Sequence, residues 1–257
     1  MEYESFTQAA MSFAVVLPRI AAAFLLIPYF TAEIITPLIR NVFFVSLALA
    51  VMPLALMQPI PTSMSGTALM PIVLKEILIG IAIGYTFSVV FWALEGAGQI
   101  IDSKIGATSA QLTDPITGQQ STLLGAYLGR LAGYLFAAFG GLTLFIDLLL
   151  SSFAVWPVLS KFPDLSAAGA IFFVDRFDQL MRLMLLLAAP ALSVLTLLEF
   201  GLGFMNRYAP QLNVFTLSMP LKSLLAVLIL LLALGTTVDF VVHWLADQHG
   251  LLELLPF

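Results

Sequence analysis

The sequence predicts an all-α, membrane-type protein of about six long, partly broken helices. Three observations predict it. Hydrophobic residues make up 61% of the chain and the mean hydropathy is +1.05, whereas a soluble domain is about 45–50% apolar. Residues 41–74, 77–94, 183–198 and 223–238 carry no charge at all, and a membrane span needs ~20 such residues. The apolar runs are separated by short stretches with turn chemistry, rich in Pro, Gly, Ser and Asn.

Taken in order, the N-terminus MEYESF is acidic and the following apolar run continues to Phe30. A cleaved leader wants a basic start and a short apolar core, so this reads as a retained first helix near 5–30. Thr36-Pro37 separates it from a second helix near 38–58, and MQPIPTSMSG at 57–66 leads into a third near 68–101. That third helix would be ~51 Å long, against a hydrocarbon core of ~30 Å. It must be broken, strongly tilted or partly outside the bilayer, and Gly96 and Gly98 offer a break. The stretch GATSAQLTDPITGQQST at 106–122 then interrupts the chain with mostly polar residues. A fourth helical region follows near 123–156, then KFPDLSAAG at 161–169 and a fifth region near 170–205. NRYAPQLNVFTLSMP at 206–220, with Pro210 and Pro220, precedes a sixth near 221–247.

Composition excludes several functions. Ten Lys and Arg stand against fifteen Asp and Glu, with no basic cluster, so nucleic acid is not an expected partner. With no cysteine, disulfides, thiolate metal sites and cysteine nucleophiles are out. No phosphate-binding loop, nucleophile elbow or zinc-protease motif is present. No catalytic, cofactor-binding or metal residue is assigned. Asp239 and His243 share a helix face, which suits either a proton relay or, more simply, a polar helix end. Asp178 and Arg182 have the spacing of an ordinary intrahelical ion pair.

Two features do not suit a simple polytopic protein: the overlong helices, and charges inside or at the edges of apolar runs (Arg130, Asp147, Glu199, Asp239). A charge at the bilayer centre costs ~2.5–3.5 kcal/mol, so such residues face protein or water. Together these suggest that other proteins cover much of the apolar surface. No set of alternate loops holds a Lys/Arg excess that would orient the chain. Gly80 and Gly84 form a GxxxG, for which glycine tolerance is the plainer reading, whereas Gly125, Gly129 and Gly133 recur on one face and read as a packing row.

Three segments together resemble one family: LPRIAAAFLLIPYF (17–30), KEILIGIAIGYTFSVVFWALEGAGQIIDSKIGATSAQLTDPITGQQST (75–122) and GLGFMNRYAPQLNVFTLSMPLK (201–222). The chain is similar to the FliR/SctT family of type III secretion export-gate proteins, over nearly its whole length and in matching order. The most specific piece is N-R-x-A-P-Q-L-N-x-F at 206–215, followed by Pro220-Leu221-Lys222. DPITGQQS at 114–121 resembles the virulence-injectisome branch more than the flagellar one, although Ile105-Gly106 stands where that branch often has Arg-Gly.

The resemblance implies a non-enzymatic subunit of the bacterial inner membrane. It implies assembly with several copies of FliP/SctR-type and FliQ/SctS-type proteins, and contact with a SctU/FlhB-type switch protein. The product is a closed helical cone, largely above the bilayer plane, through which unfolded substrate proteins leave the cytoplasm. By the same analogy, residues 1–185 form a FliP/SctR-like region and 186–257 a FliQ/SctS-like hairpin. Residues 106–122 would then be a plug loop, with Gly106, Ser109, Gln111, Leu112, Asp114, Pro115, Ile116 and Gly118 as its candidate residues. Asn206, Arg207, Pro210, Gln211, Asn213, Pro220 and Lys222 would form a helix break used in assembly. Gly80, Gly84, Gly125, Gly129 and Gly133 would serve helix packing.

Physical chemistry allows the plug. Burying Leu112 and Ile116 contributes ~1.5–3 kcal/mol each, small enough for an entering polypeptide to reverse. Pro115 biases Asp114 away from helix, and Gly106 and Gly118 supply flexible ends. By the residues alone, an exposed connecting loop is the plainer reading, and it is the resemblance that favours the plug. At the 206–215 break, Arg207 and Asn213 have the donors that freed backbone carbonyls need. A secondary transporter and a scaffold without a conduit remain as alternative classes.

Overall fold

The computed structural model describes residues 2–30, 35–56, 66–106, 112–113, 120–160, 167–208 and 214–253. Among these the fold is helical: α1 (Glu2–Leu26), a short 3-10 turn (Pro28–Phe30), α2 (Pro37–Leu56), α3 (Gly66–Ile105), α4 (Leu123–Ala138), α5 (Gly141–Val155), α6 (Ala167–Tyr208), α7 (Val214–Leu232) and α8 (Leu234–Glu253). A two-residue antiparallel ribbon, β1 (Leu112–Thr113) with β2 (Gln120–Ser121), lies between α3 and α4.

All six expected helical regions are present, and two of them are split. The fourth divides into α4 and α5 at Phe139-Gly140. Gly140 sits at φ +77, a left-handed conformation that costs glycine nothing and other residues much. The last divides into α7 and α8, bent by 49° at Ala233. There the Thr236 and Thr237 hydroxyls both donate to the Ala233 carbonyl, at 2.7 and 2.9 Å, a local bond that competes with the helical ladder and bends it. α7 also begins at Val214 rather than near 221, so Pro220 lies inside it. An interior proline lacks an N–H donor and crowds the carbonyl one turn back.

The break expected at Gly96 and Gly98 does not occur. α3 runs through both for 40 residues, about 60 Å at 1.5 Å per residue. One interior glycine costs only ~1 kcal/mol, and here the missing side chain is used for contact. A Cβ at 98 would stand 2.5 Å from the Leu124 carbonyl oxygen, and one at 96 would stand 2.5 Å from Met184 Sδ.

Three described helical stretches are long and apolar enough to cross a membrane: Phe6–Leu26, Leu69–Ile105 and Ala170–Tyr208. The α4/α5 and α7/α8 pairs raise the number to five if each is one broken span, while the apolar part of α2, Pro37–Pro53, is shorter. Among the described residues the candidate spans thus number three, or up to five with the bent pairs.

Two compact units interleave along the chain. The first comprises Met1–Val89, Gly140–Phe177 and Ala246–Phe257, and the second Val90–Phe139 and Asp178–Leu245. The core of the first is aromatic: Phe24 meets Phe145 edge-on at 4.8 Å between ring centroids, and Phe145 meets Phe87 at 5.1 Å. The core of the second is built from small and aliphatic residues, with Ala97, Ile101 and Ile105 of α3, Leu124 of α4, Ala188, Ala191 and Leu195 of α6 and Ala226 of α7 all buried. In this second unit α6 leaves Leu186, Leu197, Phe200 and Phe204 exposed, a face that suits lipid or protein and not water.

Candidate functional site

The polar 106–122 stretch is held at both stems. On the first, Gly106 ends α3 at φ +89, and its N–H bonds back to the Asp102 and Ser103 carbonyls, a left-handed helix end of the kind glycine favours. Within the stretch, Leu112 pairs with Ser121 and Thr113 with Gln120 in an antiparallel ribbon. Ser109, Gln111, Asp114, Pro115, Ile116 and Gly118 lie outside the described residues. On the second stem, Thr122 stands at the N-cap of α4 without using its hydroxyl as a cap. Asp102 takes that task from α3: its Oδ2 accepts from the N–H groups of Leu124 at 2.7 Å and Gly125 at 3.2 Å. A buried carboxylate therefore meets the positive end of α4. Sequence reasoning passed over Asp102. The available signal was an acid in the last turn of a long apolar helix, where the macrodipole disfavours it.

Beside the first stem is a three-residue ion junction. Glu199 of α6 binds Lys104 of α3 through one carboxylate oxygen at 2.5 Å and Lys222 of α7 through the other at 2.6 Å. Glu199 was noted in the sequence as an acid without an assigned partner, and it has two. Lys222 was expected at the α6–α7 break and takes part in the junction. Asn206 and Arg207 are exposed in the last turn of α6, where a cation suits the negative helix end. Pro210, Gln211 and Asn213 lie outside the described residues, and Pro220 is exposed on α7.

The first unit contains a second charged cluster, fully buried, that sequence reasoning missed. Arg19 of α1 forms a bidentate pair with Glu76 of α3, Nε to Oε2 at 2.6 Å and an Nη to Oε1 at 3.0 Å. The same guanidinium donates to Ser152 Oγ at 3.1 Å and to the Trp156 carbonyl at 2.8 Å, and lies 4.0 Å from the centre of the Phe153 ring. Lys75 approaches Glu76 at 3.2 Å and donates to the carbonyls of Pro157, Val158 and Ser160. One carboxylate and two cations thus tie α1, α3 and the end of α5 together with nearly every donor used, which is what a charge needs when removed from water. Arg19 lies in the LPRI segment and Glu76 in KEIL, but nothing local signals that residues 57 apart pair.

The glycines divide by environment. A Cβ at Gly80 or Gly84 would run into the backbone of Arg19 or Ala23, and one at Gly125 would meet Thr122 Oγ1 at 2.5 Å. Gly129 has room, its nearest neighbour being Glu95 at 3.7 Å, and Gly133 is buried. The remaining noted charges sit outside any cluster. Arg130, Asp147 and Asp239 are exposed. Asp178 and Arg182 form an exposed pair at 2.9 Å. His243 Nδ1 bonds the Asp239 backbone carbonyl at 2.7 Å and not its carboxylate, as a polar helix end would.

Overlong apolar helices, with Arg19, Glu76 and Glu199 paired inside the protein, define a multi-pass helical membrane protein. The chain belongs to the bacterial export proteins, family 1, whose pattern it matches over residues 10–247. It is 37% identical over 223 residues to the Yop proteins translocation protein T of Yersinia pestis, covering 86% of this chain and 85% of that one. It is 33% identical over 224 residues to the surface presentation of antigens protein SpaR of Salmonella typhimurium, covering 87% and 81%. It is 30% identical over 232 residues to the flagellar biosynthetic protein FliR of Bacillus subtilis, covering 90% and 88%. The order of these identities fits the virulence branch suggested by DPITGQQS.

Proposed function

We propose that this chain is a core, non-enzymatic subunit of a type III secretion export gate in the bacterial inner membrane, of the virulence branch. It assembles with several copies of FliP/SctR-type and FliQ/SctS-type proteins, alongside a SctU/FlhB-type switch protein. Together they enclose a path for unfolded substrate proteins. On this reading residues 1–185 stand for the first partner's fold and 186–257 for the hairpin of the second. The 106–122 loop is the plug that closes the idle path.

The observation that carries the plug reading is the contrast between stems and span. Gly106 and the Asp102-capped start of α4 are held by bonds of 2.7–3.2 Å, whereas the described part of the span is held by a two-residue ribbon. A gate needs a fixed frame and a closure that an incoming chain can displace. A lone two-residue ribbon is marginal in water. The flagellar reading shares this geometry and is supported by the match to FliR along most of the chain.

The test is membrane conductance of the assembled complex with no substrate engaged. Shortening 108–121 to a few Gly and Ser residues should leave assembly intact and raise ion leak, and Leu112→Ser with Ile116→Ser should give a weaker leak. If the shortened variant assembles and conducts no more than the parent, the stretch is a connecting loop.

A further inference from the structure

One face of α4 is left open by the rest of the chain. Leu123, Tyr127, Arg130 and Tyr134 follow one another at helical spacing. All four are exposed, the leucine by 70% and the tyrosines by 49% and 71%. The opposite face is committed to the core. Leu124, Leu128 and Leu135 are buried, and Phe136 meets Phe91 of α3 edge-on at 5.0 Å between ring centroids. A Cβ at 125 would stand 2.8 Å from Gln99 Cγ. α4 therefore lies against α3 in a fixed rotation, and the open stripe cannot turn inward.

The middle of the stripe offers donors without acceptors. Among the described residues Arg130 has no ion-pair partner, and the Tyr127 and Tyr134 hydroxyls have no hydrogen-bond partner. Arg130 is the eighth of the sixteen residues of α4, so it stands ~10–12 Å from either end. A carboxylic acid so placed can take up a proton and become neutral. A guanidinium cannot be discharged, so its surroundings must supply an anion or water.

The order of residues along the stripe favours an anion carried by protein. Leu123 begins it, and the exposed Ala137 and Ala138 end it, so its polar residues stand between apolar ones. A helix that reaches a lipid headgroup carries its tyrosine and arginine at one end, level with the membrane surface. Protein interfaces have the pattern seen here, with Tyr and Arg at the centre and water-excluding contacts around them. The planar guanidinium holds a carboxylate through two parallel N–H···O bonds, and a phenol O–H on each side can donate to the same group.

We propose that the α4 stripe docks an apolar helix of a neighbouring gate subunit, with an Asp or Glu of that helix seated on Arg130 between Tyr127 and Tyr134. This rests on the assembly proposed above and gives it a point of contact.

The experiment uses the complex co-expressed with FliP/SctR-type and FliQ/SctS-type proteins. A photo-reactive residue in place of Tyr134 should link to a partner peptide that has Asp or Glu within one turn of the linked residue. Arg130→Glu should lower the co-purified fraction on the order of tenfold or more, as loss of a central interface arginine does. Arg130→Lys keeps the charge, loses the fork and should lower it less. Reversing the linked acid to Lys should restore assembly of Arg130→Glu, which a folding fault in this chain would not allow. Links to lipid or secreted polypeptide alone, parental assembly of Arg130→Glu, or no rescue by the reversed partner would each overturn the docking. If the parent co-purifies with both partners while any of these holds, the assembly stands and the stripe is not its contact. If the parent does not co-purify, the assembly and the docking fall together.

Discussion

Replacing Arg19 by Met tests what holds the first unit together. The guanidinium is fully buried and bonds Glu76 twice, Ser152 once and the Trp156 carbonyl once. Methionine fills a similar volume but leaves the Glu76 carboxylate in the core with Lys75, at 3.2 Å, as its remaining charged partner. Stranding one member of a buried pair costs about 3–5 kcal/mol, against ~5–15 kcal/mol for a whole domain. For a chain of this size the thermal transition should fall on the order of 10 °C. The assay is thermal unfolding of the complex co-purified with its partners, read beside the fraction of chain assembled. A variant within about 2 °C of the parent, roughly 1 kcal/mol or less, would refute the reasoning.

Gly84→Val should lower the thermal transition, because the side chain meets the Ala23 backbone and overpacking costs about 1–3 kcal/mol. Gly201→Ala, whose Cβ meets nothing within 4 Å, should not lower it, and a drop as large as that of Gly84→Val would contradict the packing account. Asp102→Ala should free the Leu124 and Gly125 N–H groups, costing ~1–2 kcal/mol. Amide exchange at those two residues should then quicken, and Asp102→Asn, which keeps an acceptor, should change it less. Equal exchange in the two variants would remove Asp102 as the cap. Asp147→Asn and Asp239→Asn neutralise exposed acids that join no ion pair among the described residues and should leave secretion near the parental level. Complete loss of secretion in an assembled complex would point to proton coupling instead.

The long helices were legible because sustained apolar runs with polar, proline-bearing gaps are a property of composition over many residues. The split at Ala233 was not, since a one-residue break inside LLLALGTT changes neither length nor hydropathy. It depends on two threonine hydroxyls turning to one carbonyl. Gly140-Gly141 did carry a signal, but glycine in an apolar run has several uses. Gly98 shows this: it marks a close approach of α4 to α3 and not a break. The candidate site was half legible. Lys222 stood out through the Pro220-Leu221-Lys222 step, and the polar 106–122 stretch through contrast with its flanks. Arg19 with Glu76, Glu199 with its two lysines, and Asp102 with the start of α4 are pairings across 22 to 95 residues. No periodicity along the chain encodes contacts of that kind.

The most direct test of the account is a reconstruction by electron microscopy of this protein purified from cells that co-express FliP/SctR-type and FliQ/SctS-type partners. The account predicts one detergent-resistant particle containing a single copy of this chain among several of each partner. Its α6 and α7 faces should be covered by protein, and the 106–122 loop should lie across a central path. A stable, monodisperse monomer that ignores both partners, or a particle with no path at the loop, would contradict it.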